Sequence, residues 1–254
     1  MYDAILKAIN GYGLVSGFAI IGITMWVSYW ISNTFTKGRL HGSAIAIILG
    51  LALAYVGGAI TGGQKGIVDL PLLSGIGLLG GAMLRDFAII ATGFGVSVNE
   101  LKRAGYVGVF SLFVGVGTSF VAGVAVAMAF GYTDAVSITT IGAGAVTYIV
   151  GPVTGAAIGA SSEVMALSIA AGLIKAILVM VVTPFVAPMI GLNNPRSAVI
   201  FGGLMGTSSG VAGGLAATDP KLVPYGCLTA AFYTALGCLL GPSLLFLIMR
   251  AILG

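Results

Sequence analysis

Charge is scarce in this sequence. Asp, Glu, Lys and Arg together make up 7% of the 254 residues, where the water-facing surface of a soluble domain takes about a quarter. A chain so poor in charge is built to face something apolar. Histidine is nearly absent too. The single one, His41, stands in a loop beside Arg39 and reads as solvated, and no Ser-His-Asp set appears. The two cysteines, Cys227 and Cys238, fall in one apolar segment about three helical turns apart and cannot bridge without breaking it. No spacing suits zinc, haem or an iron–sulfur cluster, and no Walker sequence is present. These absences argue against an enzyme and against a bound cofactor. They leave an ion gradient or a partner subunit to drive any work. The net charge of +4 gathers at segment ends and forms no basic face, which argues for membrane topology and against nucleic acid.

What the chain has in quantity is hydrophobic residues, 58%, and glycine, 41 residues with no Gly-X-Y period. In a membrane chain glycine lets helices approach closely and lets backbones break. A spanning helix takes about 20 apolar residues, and on that basis spans are expected over residues 14–31, 43–62, 104–130, 164–190 and 224–252. The first run follows Lys7 as a signal peptide would. It nevertheless carries Trp26, Tyr29 and Trp30 as an interfacial belt and lacks a small-residue cleavage site, so it reads as a retained span. Residues 70–98 hold Arg85 and Asp86 at their middle, between two apolar pieces each too short to cross. One broken crossing is the economical reading. The expected fold is all-α and integral to the membrane, a polytopic helical bundle forming one domain over residues 1–254.

Two Gly-rich stretches depart from plain spans. Residues 138–160 read ITTIGAGAVTYIVGPVTGAAIGA, and residues 197–218 read SAVIFGGLMGTSSGVAGGLAAT. Gly costs a continuous helix about 1 kcal/mol and Pro about 3, so both are expected to break. They form a weak internal repeat or share only their composition: Val153-Thr-Gly and Val211-Ala-Gly match at a spacing of 58, and each stretch ends near an acid, Glu163 or Asp219. If both are re-entrant hairpins, Lys37, Arg39, Lys102, Arg103, Arg196 and Lys221 fall on one side, which the positive-inside rule makes cytoplasmic. Lys7, Lys65 and Arg250 fall on the other. The hairpins then enter from opposite sides, the layout of an inverted-repeat secondary transporter.

The candidate binding residues follow from that layout. Hydroxyls and free amides at a broken helix tip suit a carboxylate, aided by the positive end of the helix dipole. Thr207, Ser208, Ser209 and Gly210 supply them in the second stretch, and Thr147, Tyr148 and Thr154 in the first. Ser and Thr that merely hydrogen-bond neighbouring helices are the competing reading. Lys175 lies near the centre of an apolar span, at a cost of at least ~2.5–3.5 kcal/mol for the buried cation. It either attracts an anionic substrate, snorkels, or pairs with a carboxylate at a subunit interface. Arg85 is a further substrate candidate, against an internal pair with Asp86 or the end of a half-helix. A break at Gly93-Phe94-Gly95 would free carbonyls for Na⁺, or serve as a packing kink.

With these segments laid out, the chain resembles the MadM family of malonate transporter subunits. The resemblance runs from MYDAILKAINGYGLVSGFAI through GAVTYIVGPVTGAAIGASSEVMAL and IFGGLMGTSSGVAGGLAATDPKLVPYG to the last helix. It is also distantly similar to the LrgB/CidB membrane family, whose two signature stretches correspond to Ala145–Tyr148 and Gly206–Ser209, with Tyr148 where that family tends to keep a second Thr. The malonate resemblance implies Na⁺-coupled uptake of malonate across the bacterial cytoplasmic (inner) membrane, with a small membrane subunit, MadL, as partner. A higher oligomer is left open. Another small organic acid or H⁺ coupling is the nearest alternative. A holin-like or structural protein is a second class, and the membrane subunit of a Na⁺-pumping decarboxylase a third. The last would be expected to need intramembrane carboxylates, for which Asp86 is the one candidate within an expected crossing.

Overall fold

A computed structural model describes residues 11–38, 42–62, 70–79 and 98–253, together with Lys7, Ile9 and Val68. It divides into two units, residues 1–90 and 91–254. All regular elements among the described residues are helical. Among the described residues four helices are long and apolar enough to cross a membrane: Gly13–Phe35, Gly105–Ala129, Glu163–Val186 and the composite Pro220–Leu253.

In the first unit, α1 (Gly13–Phe35) precedes α2 (Gly42–Thr61) and a 3₁₀ helix at Pro71–Leu79. Small residues one turn apart make the buried stripe of α1: Gly13 and Gly17, then Ser28 and Ser32. This is how helices meet in lipid, where close backbone approach replaces the hydrophobic effect. A Cβ on Gly17 would strike the backbone of Gly75 in the 3₁₀ helix. The ring of Tyr29 covers Gly42 at the start of α2, and Trp30 meets Phe35 edge-on at 6.3 Å. The expected Trp26, Tyr29 and Trp30 belt lies on the exposed surface of α1. Arg85, Asp86, Gly93 and Phe94, with most of the broken crossing proposed over 70–98, lie outside the described residues.

The second unit holds three long helical paths around two broken ones. The paths are α3 (Val98–Ala129, interrupted at Gly105), α6 (Ser162–Val186) and α9 (Val223–Leu240). A π turn at Gly241–Leu245 carries α9 into α10 (Phe246–Leu253). Pro242, at the start of that turn, has no amide to donate. The first broken path is α4 (Ala135–Val146) and α5 (Val150–Ile158). The second is α7 (Pro195–Met205) and α8 (Ser208–Ala216). α6 ends at Val186, four residues before the expected 190, with Pro184 in its last turn.

The breaks fall within the two Gly-rich stretches. α5 runs back along α4, with Gly151 against Gly144 and Gly155 against Thr140. Gly226 of α9 sits against both arms of the second path, touching Ala198 of α7 and Val211 and Leu215 of α8. Each path begins in the same way. Gly131, with φ +90°, leads to Asp134, whose carboxylate accepts from the amide of Ser137 at 2.8 Å. Gly191, with φ +65°, leads to Asn194, which accepts from Ser197 at 3.0 Å. Partial burial pushes the Asp134 carboxyl up, but the Ser137 amide and hydroxyl outweigh it and hold the pKa below its ordinary value.

The unit is apolar outside and hydroxyl-bearing within. Phe110, Phe113, Leu178, Phe185, Phe232 and Leu239 are exposed, while Ser111, Thr139, Thr140, Thr147, Thr154, Ser168, Thr183, Thr207 and Thr229 are buried. That inversion suits a lipid surround. Glycine sets the spacing. A Cβ on Gly144 would coincide with the backbone of Ser168, and one on Gly115 with the carbonyls of Gly203 and Leu204. Gly144→Ala therefore forces α4 and α6 apart and should cost about 1–3 kcal/mol or more. Gly117→Ala, which meets nothing within 4 Å, should leave the thermal melting of the detergent-purified protein unchanged or slightly raised. Equal melting temperatures for the two variants would refute the packing.

Candidate functional site

Both broken paths lead to one polar node. At the first break, α4 ends at Val146, and Thr147 turns extended with φ −153° and ψ 157°. Its hydroxyl oxygen accepts from the amides of Ile149 at 3.3 Å and Val150 at 3.2 Å, so the start of α5 is capped by its own chain. At the second break, α7 ends at Met205 and is capped by Gly206 in the left-handed region, φ +69°, with Thr207 beyond it in extended backbone. The ring of Tyr233 fills the space where a side chain at 206 would stand. Glycine is therefore required there on two counts.

Lys175 joins the breaks. Its ammonium donates to the carbonyl of Val146 at 3.0 Å, to Ser119 Oγ at 2.8 Å and to the Tyr233 hydroxyl at 3.1 Å. Tyr233 donates onward, with Gly115 O at 3.0 Å and Ser119 Oγ at 2.9 Å as acceptors. The ammonium also lies 5.0 Å from the Tyr233 ring centre, on the attractive side of a cation–π contact. Four elements meet here: α3 through Ser119, α4 through Val146, α6 through Lys175 and α9 through Tyr233. All three acceptors of the cation are neutral. Its charge is thus solvated by dipoles, one of them the negative carboxyl end of α4.

The candidates from the sequence fall into three groups. Thr147, Thr207, Gly210 and Lys175 come together around the node, since Gly210 faces Thr207 and the carbonyl of Ala176, next to Lys175. Ser208 and Ser209 open α8 beside them, and Tyr148 backs onto Gly172 of α6 through its main chain. Thr154 is placed apart: it is buried a turn into α5 against Gly241 of the π turn. Arg85, Gly93 and Phe94 lie outside the described residues. Sequence reading missed Ser119 and Tyr233. Neither belongs to a motif, and the available signal was only that a buried ammonium needs three acceptors from somewhere.

Among the described residues, three buried hydroxyl oxygens, of Thr139, Thr154 and Thr207, have no hydrogen-bond partner. Among the described residues no group of three or more His, Cys, Asp or Glu could hold a metal ion. A separate apolar groove of about 720 Å³ lies between α6 and α7, lined by residues such as Val182, Val186, Ile200 and Leu204.

The model of one protein family, described as the malonate/sodium symporter MadM subunit, matches residues 5–253. The chain belongs to that family. No curated protein and no solved structure matches it. A MadM chain is a subunit of a malonate/Na⁺ transport system, and with four apolar helices of spanning length among its described residues this one is a multi-pass membrane protein.

The node has a stability consequence. Tyr233→Phe keeps the ring against Gly206 but removes one of the three acceptors of Lys175, and should cost ~1–3 kcal/mol. Lys175→Met strands Val146 O as well and should lower the melting temperature further. A Tyr233→Phe protein that melts with wild type would show that the hydroxyl bridge carries no load.

Proposed function

We propose that this chain is the translocating subunit of a malonate importer that moves its substrate with Na⁺ by alternating access. Membership of the MadM family supplies the substrate and the ion. The observation that carries the reading is the meeting of two interrupted helices at Lys175, inside a bundle whose outer surface is apolar. Interrupted backbone at membrane depth is tolerated where it is buried or lines a cavity, and transporters use it to hold ligands.

In this reading the α4–α5 and α7–α8 pairs are re-entrant hairpins entering from opposite faces of the bacterial inner membrane. The repeat supports it in two registers. The caps Asp134 and Asn194 stand 60 residues apart, as do Thr147 and Thr207, while α5 and α8 begin at 150 and 208, a spacing of 58. The first break is simply longer. Related halves able to exchange conformations are what alternating access requires.

Energetics call for a coupling ion. Carrying two negative charges inward against 100 mV costs about 4.6 kcal/mol, at ~2.3 per charge. Two Na⁺ ions cancel that charge, and more make uptake electrogenic. The small subunit MadL is the proposed partner.

Purified chain, reconstituted with MadL into liposomes, should accumulate [¹⁴C]malonate when an inward Na⁺ gradient is imposed. Collapsing the gradient should abolish accumulation. Saturable uptake that ignores both Na⁺ and membrane potential would sink the symport reading. Non-saturable leakage of unrelated solutes would point to a holin-like pore.

A further inference from the structure

The two breaks are equivalent in the repeat but differ in how their amides are used. At the first, the Thr147 hydroxyl accepts from Ile149 and Val150, and its carbonyl takes the amide of Gly151. At the second, the carbonyl of Thr207 takes the amide of Val211, but its hydroxyl caps nothing. Thr207 is fully buried, and that oxygen is without a partner. The first amides of a helix have no acceptor within it, and among the described residues none claims those opening α8. Beside them stand the half-buried hydroxyls of Ser208 and Ser209.

We infer that the second break alone receives a carboxylate of the substrate, held by Thr207 Oγ1 and the opening amides of α8, while the first break is closed by its own threonine and serves as a strut. This deepens the transport reading above and rests on it. The geometry is asymmetric for a physical reason. An unclaimed helix N-terminus carries a positive partial charge and convergent N–H donors. Once Thr147 has taken the corresponding amides of α5, that end has far less to offer an anion. A buried hydroxyl with no partner is costly and calls for an explanation; Thr139 and Thr154 carry one too, but Thr207 is the one that stands immediately before a helix start.

Lys175 adds to the same site without contacting it as a donor. Its three protons are already taken by Ser119, Val146 and Tyr233. Its charge is still unneutralised by any of those partners. The Tyr233 ring it rests against is the one packed on Gly206, the residue before Thr207. A small dicarboxylate therefore meets hydrogen-bond donors at α8 and a positive field from α6.

The test compares Thr207→Val, Thr207→Ser and Thr147→Val in the reconstituted complex and in the purified complex. Thr207→Val removes an unpaired hydroxyl from the empty protein, so its melting temperature without malonate should stay level or rise. Malonate should then stabilise it much less than wild type, and KM for malonate uptake should rise about tenfold or more, as loss of a hydrogen bond to a charged group predicts. Thr207→Ser should restore most of both. Thr147→Val should melt lower, with KM within about threefold of wild type. Wild-type KM and malonate-induced stabilisation in Thr207→Val would overturn the assignment, as would an equal rise in KM for a folded Thr147→Val. If wild type itself neither transports malonate nor is stabilised by it, the transport reading falls and this one falls with it.

Discussion

The second unit is organised by one requirement: a cation placed among apolar helices must find its solvation inside the protein. An ammonium at membrane depth costs at least ~2.5–3.5 kcal/mol. Hydrogen bonds to charged groups return about 1.5–3 kcal/mol each, so three good acceptors are enough to hold Lys175 and fewer leave little margin. The acceptors come from three different elements, Ser119 on α3, Val146 at the end of α4 and Tyr233 on α9. Meeting that demand therefore fixes α3, α4, α6 and α9 relative to one another. The carbonyl of Val146 is available only because α4 stops there. The break and the cation explain each other.

Glycine makes the same point from the side of packing. Gly144 and Gly172 bring α4 and the first break against α6, and Gly206 admits the Tyr233 ring. Without those absences of side chain the long helices would stand too far from the breaks for Lys175 and Tyr233 to reach. The abundance of glycine is thus concentrated where backbone meets backbone. Other glycines, such as Gly22 and Gly50, face open space, and only some of the 41 are explained by contact.

Much of this was legible in the sequence, and the limits of legibility have physical causes. The dearth of charge and the long apolar runs announce a membrane bundle, because lipid excludes charge irrespective of the fold. The breaks were legible too, since Gly, Pro and hydroxyl residues weaken a helix locally. The weak likeness read at a spacing of 58, through Val153 and Val211, equals the spacing between the starts of α5 and α8. The better signal, Gly131-x-x-Asp134-x-x-Ser137 against Gly191-x-x-Asn194-x-x-Ser197, was missed because its spacing is 60 and Asp and Asn differ in charge. They act alike as caps, each offering one oxygen to the amide three residues on. What sequence could not show was which oxygens Lys175 would choose. Ser119 lies 56 residues away and Tyr233 58, and contacts that distant leave no local pattern.

The hydroxyls at the two tips make the last step. Thr147 and Thr207 are the same residue at matching places, so composition cannot tell them apart. Their surroundings can. The first tip has three residues between its arms, Thr147 to Ile149, and the extra length lets the chain curl so that the threonine reaches its own amides. The second has two, Gly206 and Thr207, with the left-handed glycine pinned beneath Tyr233. A shorter, pinned turn keeps Thr207 from curling onto α8 and leaves both its hydroxyl and the helix start open. One residue of loop length thus separates a helix end capped by its own threonine from one that is not.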